Sequence, residues 1–398
     1  MADLTPCLCL RVVRITSYEF HSMNSLQTVD IFCEVIDNFG DAGVSWRLAR
    51  ALTARGLSVR LWINDLSCLQ RLRPSVDERL TEQVVDGFQI IAWNDQTELN
   101  YQAAELVIEA FACRLSDAML DRMTKAKPTP AWINLEYLSA ESWAVQSHGL
   151  PSPHPRLPLT QYFFFPGFVS ESGGLIREDD LMQLRAAFNT ESRSIFLKNL
   201  DIDVGFDSLL VSLFCYEQAP VHELFNAMRF GPPTLCLVPE GVALKALANF
   251  FGNDLSVGRQ VTDGQLTIKI IPFLNPDDFD LLLWSCDLNF VRGEDSLVRA
   301  HWAQQPFVWQ LYRQAEESHL IKLAAFLDIH CHDLNEESAH AVKTFWQAWN
   351  GEAGAILDWS AFSEALLELP PHYRQWSEHV ASVEELSTQL IRFAGKIR

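Results

Sequence analysis

Two aspartates in one short turn are the first residues whose types and spacing could do chemistry. Asp37 and Asp41 lie four positions apart, and Gly40 and Gly43 lie beside them. One carboxylate can serve as a general base while a second orients it, and glycines let the backbone approach a ligand closely. Aspartates near a helix start also satisfy free backbone amides. The turn alone leaves catalysis and helix capping open, and it is not a G-x-G-x-x-G dinucleotide fingerprint.

A second turn, Arg292-Gly293-Glu294-Asp295-Ser296, follows the apolar run at 288–291 and precedes a helical pattern. A guanidinium, a hydroxyl and the free N–H groups of a helix N-terminus can together hold an anion such as a diphosphate. The alternative is a capping box with a surface pair between Arg292 and Glu294. The position of the turn, after a strand of a second α/β domain, favours phosphate binding.

Other polar residues give weaker indications. Glu109, Glu136 and Tyr137 lie at or just after predicted strands and could line the same cleft, although such residues are often only structural. The D-x-D pattern of Asp201-Ile202-Asp203 is one by which some glycosyltransferases hold a metal and a nucleotide. Such a pattern arises often by chance in a chain with 51 acidic residues.

Two groups of metal-type ligands are better explained without a metal. Cys7 and Cys9 form a single C-x-C, and His330-Cys331-His332 has no second cysteine pair beside it. The nine cysteines lie mostly inside apolar runs, which is typical of reduced packing residues. The sequence therefore predicts no metal site and no disulfide framework.

The elements that position these turns follow from short apolar runs alternating with helical patterns, which predict parallel α/β units. The first series of apolar runs lies at 28–36, 58–63, 88–93, 106–111 and 130–135, with a helical pattern at 44–54. The second series lies at 208–216, 234–238, 266–273, 288–291 and 306–312, with helical patterns at 219–229, 242–251, 275–285, 295–304 and 317–327. Two doubly wound halves bind ligands in the cleft between the carboxyl ends of their strands, so both turns should face that cleft.

The domain organisation follows from the same patterns. Residues 1–27 are predicted to be a flexible extension before the first domain at 28–175 and the second at 190–373. The prolines of 149–158 predict a surface connection between them. The final stretch, 374–397, predicts one long amphipathic helix that packs back on the N-terminal domain.

Composition excludes several classes of protein. The 398 residues are too many for one small domain, and 48% hydrophobic residues exclude wholesale disorder. The net charge of −20 argues against a surface built for nucleic acid or anionic lipid. No apolar stretch approaches the roughly 20 residues that span a bilayer, and the first residues lack a basic signal region, so a cytoplasmic enzyme or binding protein is expected.

The chain resembles the EarP family, the bacterial protein-arginine rhamnosyltransferases of translation elongation factor P, over nearly all of residues 28–395. The resemblance depends on several blocks in one order. These blocks are Asp37–Asp41, Ile133–Glu141, Gly149–Pro155, Phe163–Phe168, Ser212–Glu217 and Arg292–Ser296. The chain departs from the family pattern after Phe307-Val308-Trp309, where it has Arg313-Gln314 in place of Pro-Gln.

The resemblance implies a GT-B fold of two Rossmann-like domains, dTDP-β-L-rhamnose as donor, inversion at the anomeric carbon, and no metal or other cofactor. It implies translation elongation factor P as the protein acceptor, with neither nucleic acid nor membrane as a partner. Asp37 and Asp41 match the catalytic aspartates of the family and Glu294 its essential glutamate. Further residues match positions that hold the donor: Tyr216, Arg292, Asp295 and Ser296 for the diphosphate and sugar, and Phe273 for stacking on thymine.

A mechanism follows as a hypothesis. Arginine is a difficult nucleophile because its guanidinium has a pKa above about 12. Asp37 could grip the guanidinium while Asp41 accepts a proton as the nitrogen attacks the sugar. Glu294 belongs to the donor side and is expected to order its loop or the donor.

Two other functions are compatible with this fold. One is a GT-B glycosyltransferase with a small-molecule or lipid acceptor. The other is a non-catalytic nucleotide-sugar-binding protein in which Asp37 and Asp41 only cap a helix. The three hypotheses differ in whether dTDP-rhamnose is consumed and in which acceptor gains mass.

Overall fold

The computed structural model describes residues 26–37, 39–203, 207–252 and 254–398. Within them the strands are β1 (Thr28–Cys33), β2 (Ser58–Ile63), β3 (Glu82–Val85), β4 (Phe88–Ala92), β5 (Leu106–Ala110), β6 (Ala131–Leu135), β7 (Pro151–Pro153), β8 (Thr160–Phe164), β9 (Leu209–Leu213), β10 (Thr234–Pro239), β11 (Gln260–Asp263), β12 (Leu266–Ile271), β13 (Leu288–Arg292) and β14 (Phe307–Gln310). The predicted extension and the Cys7–Cys9 pair lie outside the described residues, apart from positions 26 and 27.

The α-helices of the described residues lie between most of these strands, and the last five follow the final strand. They are α1 (Phe39–Ala54), α2 (Leu66–Leu72), α3 (Asp95–Glu98), α4 (Asp117–Lys125), α5 (Ser142–Ser147), α6 (Leu181–Ala187), α7 (Thr190–Asn199), α8 (Val221–Met228), α9 (Leu244–Phe251), α10 (Pro276–Ser285), α11 (Asp295–Ala303), α12 (Ser318–His330), α13 (Glu336–Trp349), α14 (Trp359–Ala365), α15 (Leu369–Ser382) and α16 (Leu386–Ile397). None of the helices in this described part of the chain has both the length and the apolar composition needed to cross a bilayer.

The strands form two sheets. The first has the order β3-β4-β2-β1-β5-β6-β8-β7 and the second the order β11-β12-β10-β9-β13-β14. All neighbours are parallel except at the edge strands β3, β7 and β11, which are antiparallel. The prediction of two parallel α/β sheets is confirmed, and each of the ten predicted apolar runs overlaps a strand of one of them.

Burial explains why these strands were recognisable. Every residue of β5 and β6 is buried, as is all of β1 after Thr28, because helices cover both faces of the first sheet. A strand buried on both faces is apolar without alternation. Strand β1 is central in the first sheet, and β13 lies between β9 and the edge strand β14 in the second. The carboxyl end of each is followed by one of the two turns that the sequence singled out.

Four strands were not predicted. Strands β3 and β11 are half exposed at sheet edges, and β8 joins the first sheet beyond the proline-containing stretch. Part of that stretch is itself a strand, β7, rather than only a surface connection. Its prolines are compatible with pairing because β7 is an edge strand, where a missing N–H costs no ladder bond.

The single helix predicted over 374–397 is wrong, because the chain forms α15 and α16 with a break at 383–385. Val383 has an extended conformation, and the Glu385 carboxylate caps α16 by accepting hydrogen bonds from the amides of Ser387 and Thr388. The two helices join different cores. Tyr373 and Trp376 of α15 pack in the core under the second sheet, whereas Leu386 and Leu390 of α16 pack in the core under the first.

Candidate active site between the two sheets

Asp37 lines two cavities at the cleft. We call the first, of about 620 Å³, the aromatic cavity. Its lining includes Asp37, Phe214, Tyr216, Phe273, Arg292 and Ser296. We call the second, of about 1190 Å³, the polar cavity. Its lining includes Asp37, Tyr137, Glu294, Tyr312, Arg313 and Lys322.

The Asp37 carboxylate is half-buried and held from the opposite half of the molecule. Its Oδ2 accepts a hydrogen bond of 2.5 Å from the Tyr216 hydroxyl. Burial raises the pKa of Asp37 to about 6, and the charge of Asp41 adds to this, while the Tyr216 hydrogen bond and the Arg292 guanidinium oppose it. A carboxylate with this pKa is a stronger base than an exposed aspartate and is largely ionised at neutral pH.

Asp41 lies behind Asp37 in the first turn of α1. It is only 2% exposed. Its Oδ2 accepts hydrogen bonds from the backbone N–H groups of Ile36 (2.8 Å) and Asp37 (2.7 Å). Burial raises the pKa of Asp41, although these amides and the Tyr137 hydroxyl stabilise its charged form. The capping alternative is thus correct in part, since Asp41 satisfies loop amides, and Asp41 lines neither of the two cavities.

The glycines of the turns allow side chains of the site to approach, rather than leaving space only for a ligand. A Cβ on Gly40 would lie 2.7 Å from Oδ2 of Asp37, and a Cβ on Gly43 would lie 3.2 Å from the Asp295 carboxylate. Gly293 has a φ of +62°, and a Cβ there would lie 2.9 Å from both Asp37 Oδ2 and the Tyr216 hydroxyl. A side chain at position 40 would displace the Asp37 carboxylate within its own turn, and one at position 293 would push the two turns apart.

Arg292 lies on the wall of the aromatic cavity at the end of β13. Its Nη1 donates a hydrogen bond of 2.9 Å to the Cys215 carbonyl. Its guanidinium carbon lies 4.3 Å from the ring centre of Phe214 and 4.9 Å from that of Tyr216. Because rings and one carbonyl fix this side chain, it presents a positive charge to the cavity in a defined place.

Ser296 closes its own turn. Its hydroxyl donates to the Arg292 carbonyl and accepts from the Arg292 amide at 3.0 Å. The residue also lines the aromatic cavity. Glu294, at the N-cap of α11, makes no side-chain capping bond. The capping-box alternative is therefore wrong for Glu294.

Glu294 instead connects three parts of the molecule. Its Oε1 accepts from Lys322 Nζ of α12 at 2.8 Å, and its Oε2 accepts from the Leu138 amide of the first half at 2.8 Å. Burial raises the pKa of Glu294, and Lys322 opposes that rise. The alternative of a surface pair with Arg292 is wrong, because the cation beside Glu294 is Lys322.

Asp295 and Phe273 each contact the first half. Oδ1 of Asp295 accepts a hydrogen bond of 2.9 Å from Arg47 Nε of α1. The Phe273 ring lies 5.2 Å from the Phe39 ring, and the Arg71 guanidinium lies 5.1 Å from the Phe273 ring centre. All five residues that were predicted to hold a donor, namely Tyr216, Phe273, Arg292, Asp295 and Ser296, line the aromatic cavity.

The weaker candidates separate into one residue at the site and several away from it. Tyr137 lines the polar cavity and its ring stacks on Phe111 at 4.8 Å. Glu109 and Glu136 line neither cavity: Glu109 accepts from the Leu115 amide and from Gln161, and Glu136 accepts from Asn134 at 2.7 Å. Burial raises the pKa of Glu109 to about 7, but the group is enclosed by the sheet.

The motifs given little weight are also remote from the site. Lys269 Nζ lies 3.2 Å from Asp201 of the D-x-D pattern, on the second sheet away from both cavities. His330 and Cys331 are buried, whereas His332 is exposed and lies 2.8 Å from Asp333. Among the described residues, no three His, Cys, Asp or Glu side chains are grouped so as to hold a metal ion. The seven cysteines in the described part of the chain are free and buried.

Sequence reasoning missed Arg47, Arg71 and Lys322. All three lie inside helices, where basic residues are ordinary surface residues, and their partners are far away in the chain. Arg47 and Asp295 are separated by 248 positions. The one available signal for Lys322 was its place in a helix that follows the strand beside the second turn.

Comparison with known proteins agrees with this geometry. The family described as Elongation-Factor P (EF-P) rhamnosyltransferase EarP matches residues 29–395 of the chain. The chain belongs to the EarP family.

Individual relatives show how far the similarity extends. A protein-arginine rhamnosyltransferase of Pseudomonas putida is 43% identical over 371 residues, which cover 92% of this chain and 98% of the relative. One from Neisseria meningitidis is 34% identical over 361 residues, covering 87% and 90%. A solved structure described as the structural basis for EarP-mediated arginine glycosylation of translation elongation factor EF-P is 33% identical and has a TM-score of 0.65, covering 92% of this chain and 98% of that one. The predicted family and the GT-B fold are confirmed.

Proposed function

We propose that this EarP-family glycosyltransferase transfers L-rhamnose from dTDP-β-L-rhamnose to an arginine side chain of translation elongation factor P, with inversion and without a metal. The observation that carries the proposal is the position of Asp37 between two cavities, one of which is lined by Arg292 and aromatic rings. The same acid can then contact a donor on one side and an acceptor nitrogen on the other.

The aromatic cavity fits a nucleoside diphosphate. Arg292 lies beside α11, whose first amides are not capped by the Glu294 side chain, so a guanidinium and a helix N-terminus are available to one anion. The Phe273 ring lies at the cavity wall and offers a face to a base such as thymine. These positive groups would stabilise the charge that grows on the departing diphosphate, which is the task that a metal performs in other enzymes.

The polar cavity fits the acceptor. It is the larger of the two, and its wall carries the carboxylates of Asp37 and Glu294 together with the rings of Tyr137 and Tyr312. Carboxylates bind a planar guanidinium in a fork, and aromatic faces attract it. An acceptor that enters here would meet the sugar from the side opposite to the aromatic cavity, and a displacement from that side inverts the anomeric carbon.

The chemistry needs one proton to be removed. As a guanidinium nitrogen forms its bond to the anomeric carbon, the bond between that carbon and the diphosphate oxygen breaks, and the electron pair leaves with dTDP. The guanidinium proton passes to a carboxylate of the aspartate pair. We assign the grip on the guanidinium to Asp37, which lines both cavities, and the base to Asp41, which lies directly behind Asp37 and has a pKa raised by burial. Because Asp41 lines neither cavity, this step requires the turn to open towards the acceptor.

We propose that Glu294 positions the Arg292–Ser296 turn and does not accept the proton. Its two carboxylate oxygens are already engaged by Lys322 and by the Leu138 amide. It thereby holds the Arg292–Ser296 turn against the first half of the molecule. We also propose that the enzyme works in the cytoplasm, where a translation factor would meet it.

The deciding experiment combines the purified protein, dTDP-β-L-rhamnose and elongation factor P. We expect intact-mass spectrometry to show the gain of one deoxyhexosyl group, located on arginine by fragmentation, with an α linkage in NMR spectra. Turnover should persist after treatment with a chelator. Release of dTDP with unmodified elongation factor P would mean that the rhamnosyl group passes to water and would support another acceptor, and dTDP binding without turnover would support a non-catalytic protein.

A further inference from the structure

Helix α1 carries a fully buried arginine that reaches into the other half of the molecule. Arg47 is 1% exposed. Its Nε donates a hydrogen bond of 2.9 Å to Asp295 Oδ1, its Nη1 donates to Glu178 at 3.4 Å, and its Nη2 donates to the Pro276 carbonyl at 3.3 Å. All three nitrogens of the guanidinium therefore have partners from outside α1.

The partners form one buried network of charges. Glu178 also accepts from Arg299 Nη1 at 2.7 Å, and Arg299 forms a two-pronged pair with Asp280 at 2.8 and 2.6 Å. Although burial alone favours the neutral acid, Arg299 and Arg47 lower the pKa of Glu178 to about 2. Within this network Arg47 is the member that contacts a residue of the aromatic cavity, namely Asp295.

A carboxylate in that place needs neutralisation. Asp295 lines the same cavity as Arg292 and Ser296, where the proposed donor has its diphosphate. An unpaired carboxylate there would repel the diphosphate, and the repulsion would be strong because the site is partly buried. Arg47 supplies the opposite charge and fixes one oxygen of Asp295.

The same helix begins with the turn that carries the aspartate pair. Asp41 is in the first turn of α1, a Cβ on Gly43 would lie 3.2 Å from the Asp295 carboxylate, and Arg47, one turn after Gly43, holds Asp295 itself. A shift of the Arg47–Asp295 contact would therefore move α1 against the Arg292–Ser296 turn. The distance between the proposed base and the proposed donor site depends on this contact.

We infer that Arg47 is a positioning residue for the transfer reaction: it neutralises and orients Asp295 at the donor cavity and ties that turn to the helix that carries the aspartates. The inference rests on the proposed function, because it takes the aromatic cavity as the donor site. It predicts an effect on both donor affinity and turnover from a residue that lines neither the aromatic nor the polar cavity.

The test variant is Arg47→Lys, which keeps the buried positive charge but loses the planar fork. We expect the Kd for dTDP, measured by calorimetry, to rise about tenfold, and kcat on elongation factor P at saturating donor to fall about tenfold. A residue with only a structural role would lower the melting temperature and leave the Kd and kcat of the folded enzyme unchanged.

Arg50→Met is the matched control. Arg50 lies one turn later on α1 and also pairs across the halves, with Asp277 at 2.9 Å, but its side chain is 36% exposed and that of Asp277 53%. We expect its Kd and kcat to stay within about twofold of the parent protein. Equal losses in the two variants, or no loss in Arg47→Lys, would overturn the inference.

Gly43→Ala keeps the test decisive if Arg47→Lys does not fold. Alanine favours the helix, but its methyl group would lie 3.2 Å from the Asp295 carboxylate and displace it without removing any charge. We expect the dTDP affinity to fall about threefold. Unchanged affinity would overturn the inference in that case.

If the unsubstituted protein binds dTDP but leaves elongation factor P unmodified, the proposed function fails. The calorimetric comparison of Arg47→Lys with Arg50→Met then still tests the contact at the donor site.

Discussion

The turns after β1 and β13 have the same topology and different electrostatics. Each follows a buried parallel strand that has neighbours on both sides, precedes a helix and carries two of the candidate acidic residues. Among the described residues, Asp37 and Asp41 have no ion-pair partner, whereas Glu294 pairs with Lys322 and Asp295 with Arg47. The first turn contains carboxylates that can still bind a cation or a proton, and the second contains carboxylates that already hold the structure together.

The difference shows how one fold makes reactive and structural acids. Strand order decides where a carboxylate lies, but the cations that come from other elements decide what it can do. Asp37 has a pKa of about 6 because burial raises it and no paired cation among the described residues offsets that rise. The Arg292 guanidinium lowers the pKa of Asp37 only in part. Four predictions test the contrast between the two turns.

The largest effect is expected from Asp41→Asn, which removes the proposed base and leaves the second turn untouched. We expect kcat to fall by about 10²–10⁴, with the Kd for dTDP unchanged. Single-turnover mass spectrometry on elongation factor P and calorimetry with dTDP measure the two quantities. Full activity in this variant would show that Asp41 is not the base. A loss of donor affinity would contradict the assignment of proton removal to the first turn and donor binding to the second.

The next effect concerns the second turn. Arg292→Ala should weaken dTDP binding by about 10–100-fold, since a buried charge-assisted contact to the diphosphate is lost. Arg313→Ala is the matched control, because Arg313 is an exposed arginine that lines the polar cavity. If both substitutions, or neither, weaken dTDP binding in calorimetry, the donor phosphates do not lie in the aromatic cavity.

A moderate effect is expected on the free energy of unfolding, which can be measured without any substrate and reports the unpaired carboxylate of the first turn. The pKa of Asp37 is raised from 3.8 to about 6, so ionisation of Asp37 in the folded protein costs free energy. This cost is complete above about pH 6 and absent below about pH 4. Asp37→Asn should therefore stabilise the protein at pH 7 by about 1–3 kcal/mol and leave it unchanged near pH 4. Thermal unfolding at both pH values measures this, with Glu34→Gln, an exposed acid of the same turn, as the control. Equal stabilisation at pH 4 and pH 7 would contradict the electrostatic cause.

The smallest effect is a displacement of the pH profile. Because the transfer needs ionised Asp37, kcat/KM should decline as the pH falls through about 6. The Arg292 guanidinium lowers the pKa of Asp37, so Arg292→Ala should move this decline to higher pH. Rates measured at subsaturating acceptor across pH 5–8 report the position. A decline that stays in place in Arg292→Ala would mean that another group controls it.

Much of the fold was predictable because the central strands are buried on both faces. Each apolar run marked a strand, and the polar residues after the runs at 28–36 and 288–291 marked the two turns. Strands β3, β8 and β11 were missed because partly exposed strands have no continuous apolar run. The break before α16 was missed because Glu384 and Glu385 fit a helix surface as well as a helix cap.

The sequence by itself determined which residues come to the ends of the strands, since alternation of apolar runs and helical patterns predicts parallel strands and places the residues after each run at a carboxyl end. Only the tertiary structure decided their state. The contacts of Tyr216 with Asp37, Leu138 with Glu294 and Arg47 with Asp295 join residues that are 179, 156 and 248 positions apart. A local pattern contains no information about such distant partners, and the burial and charge that they supply set whether each carboxylate stays reactive.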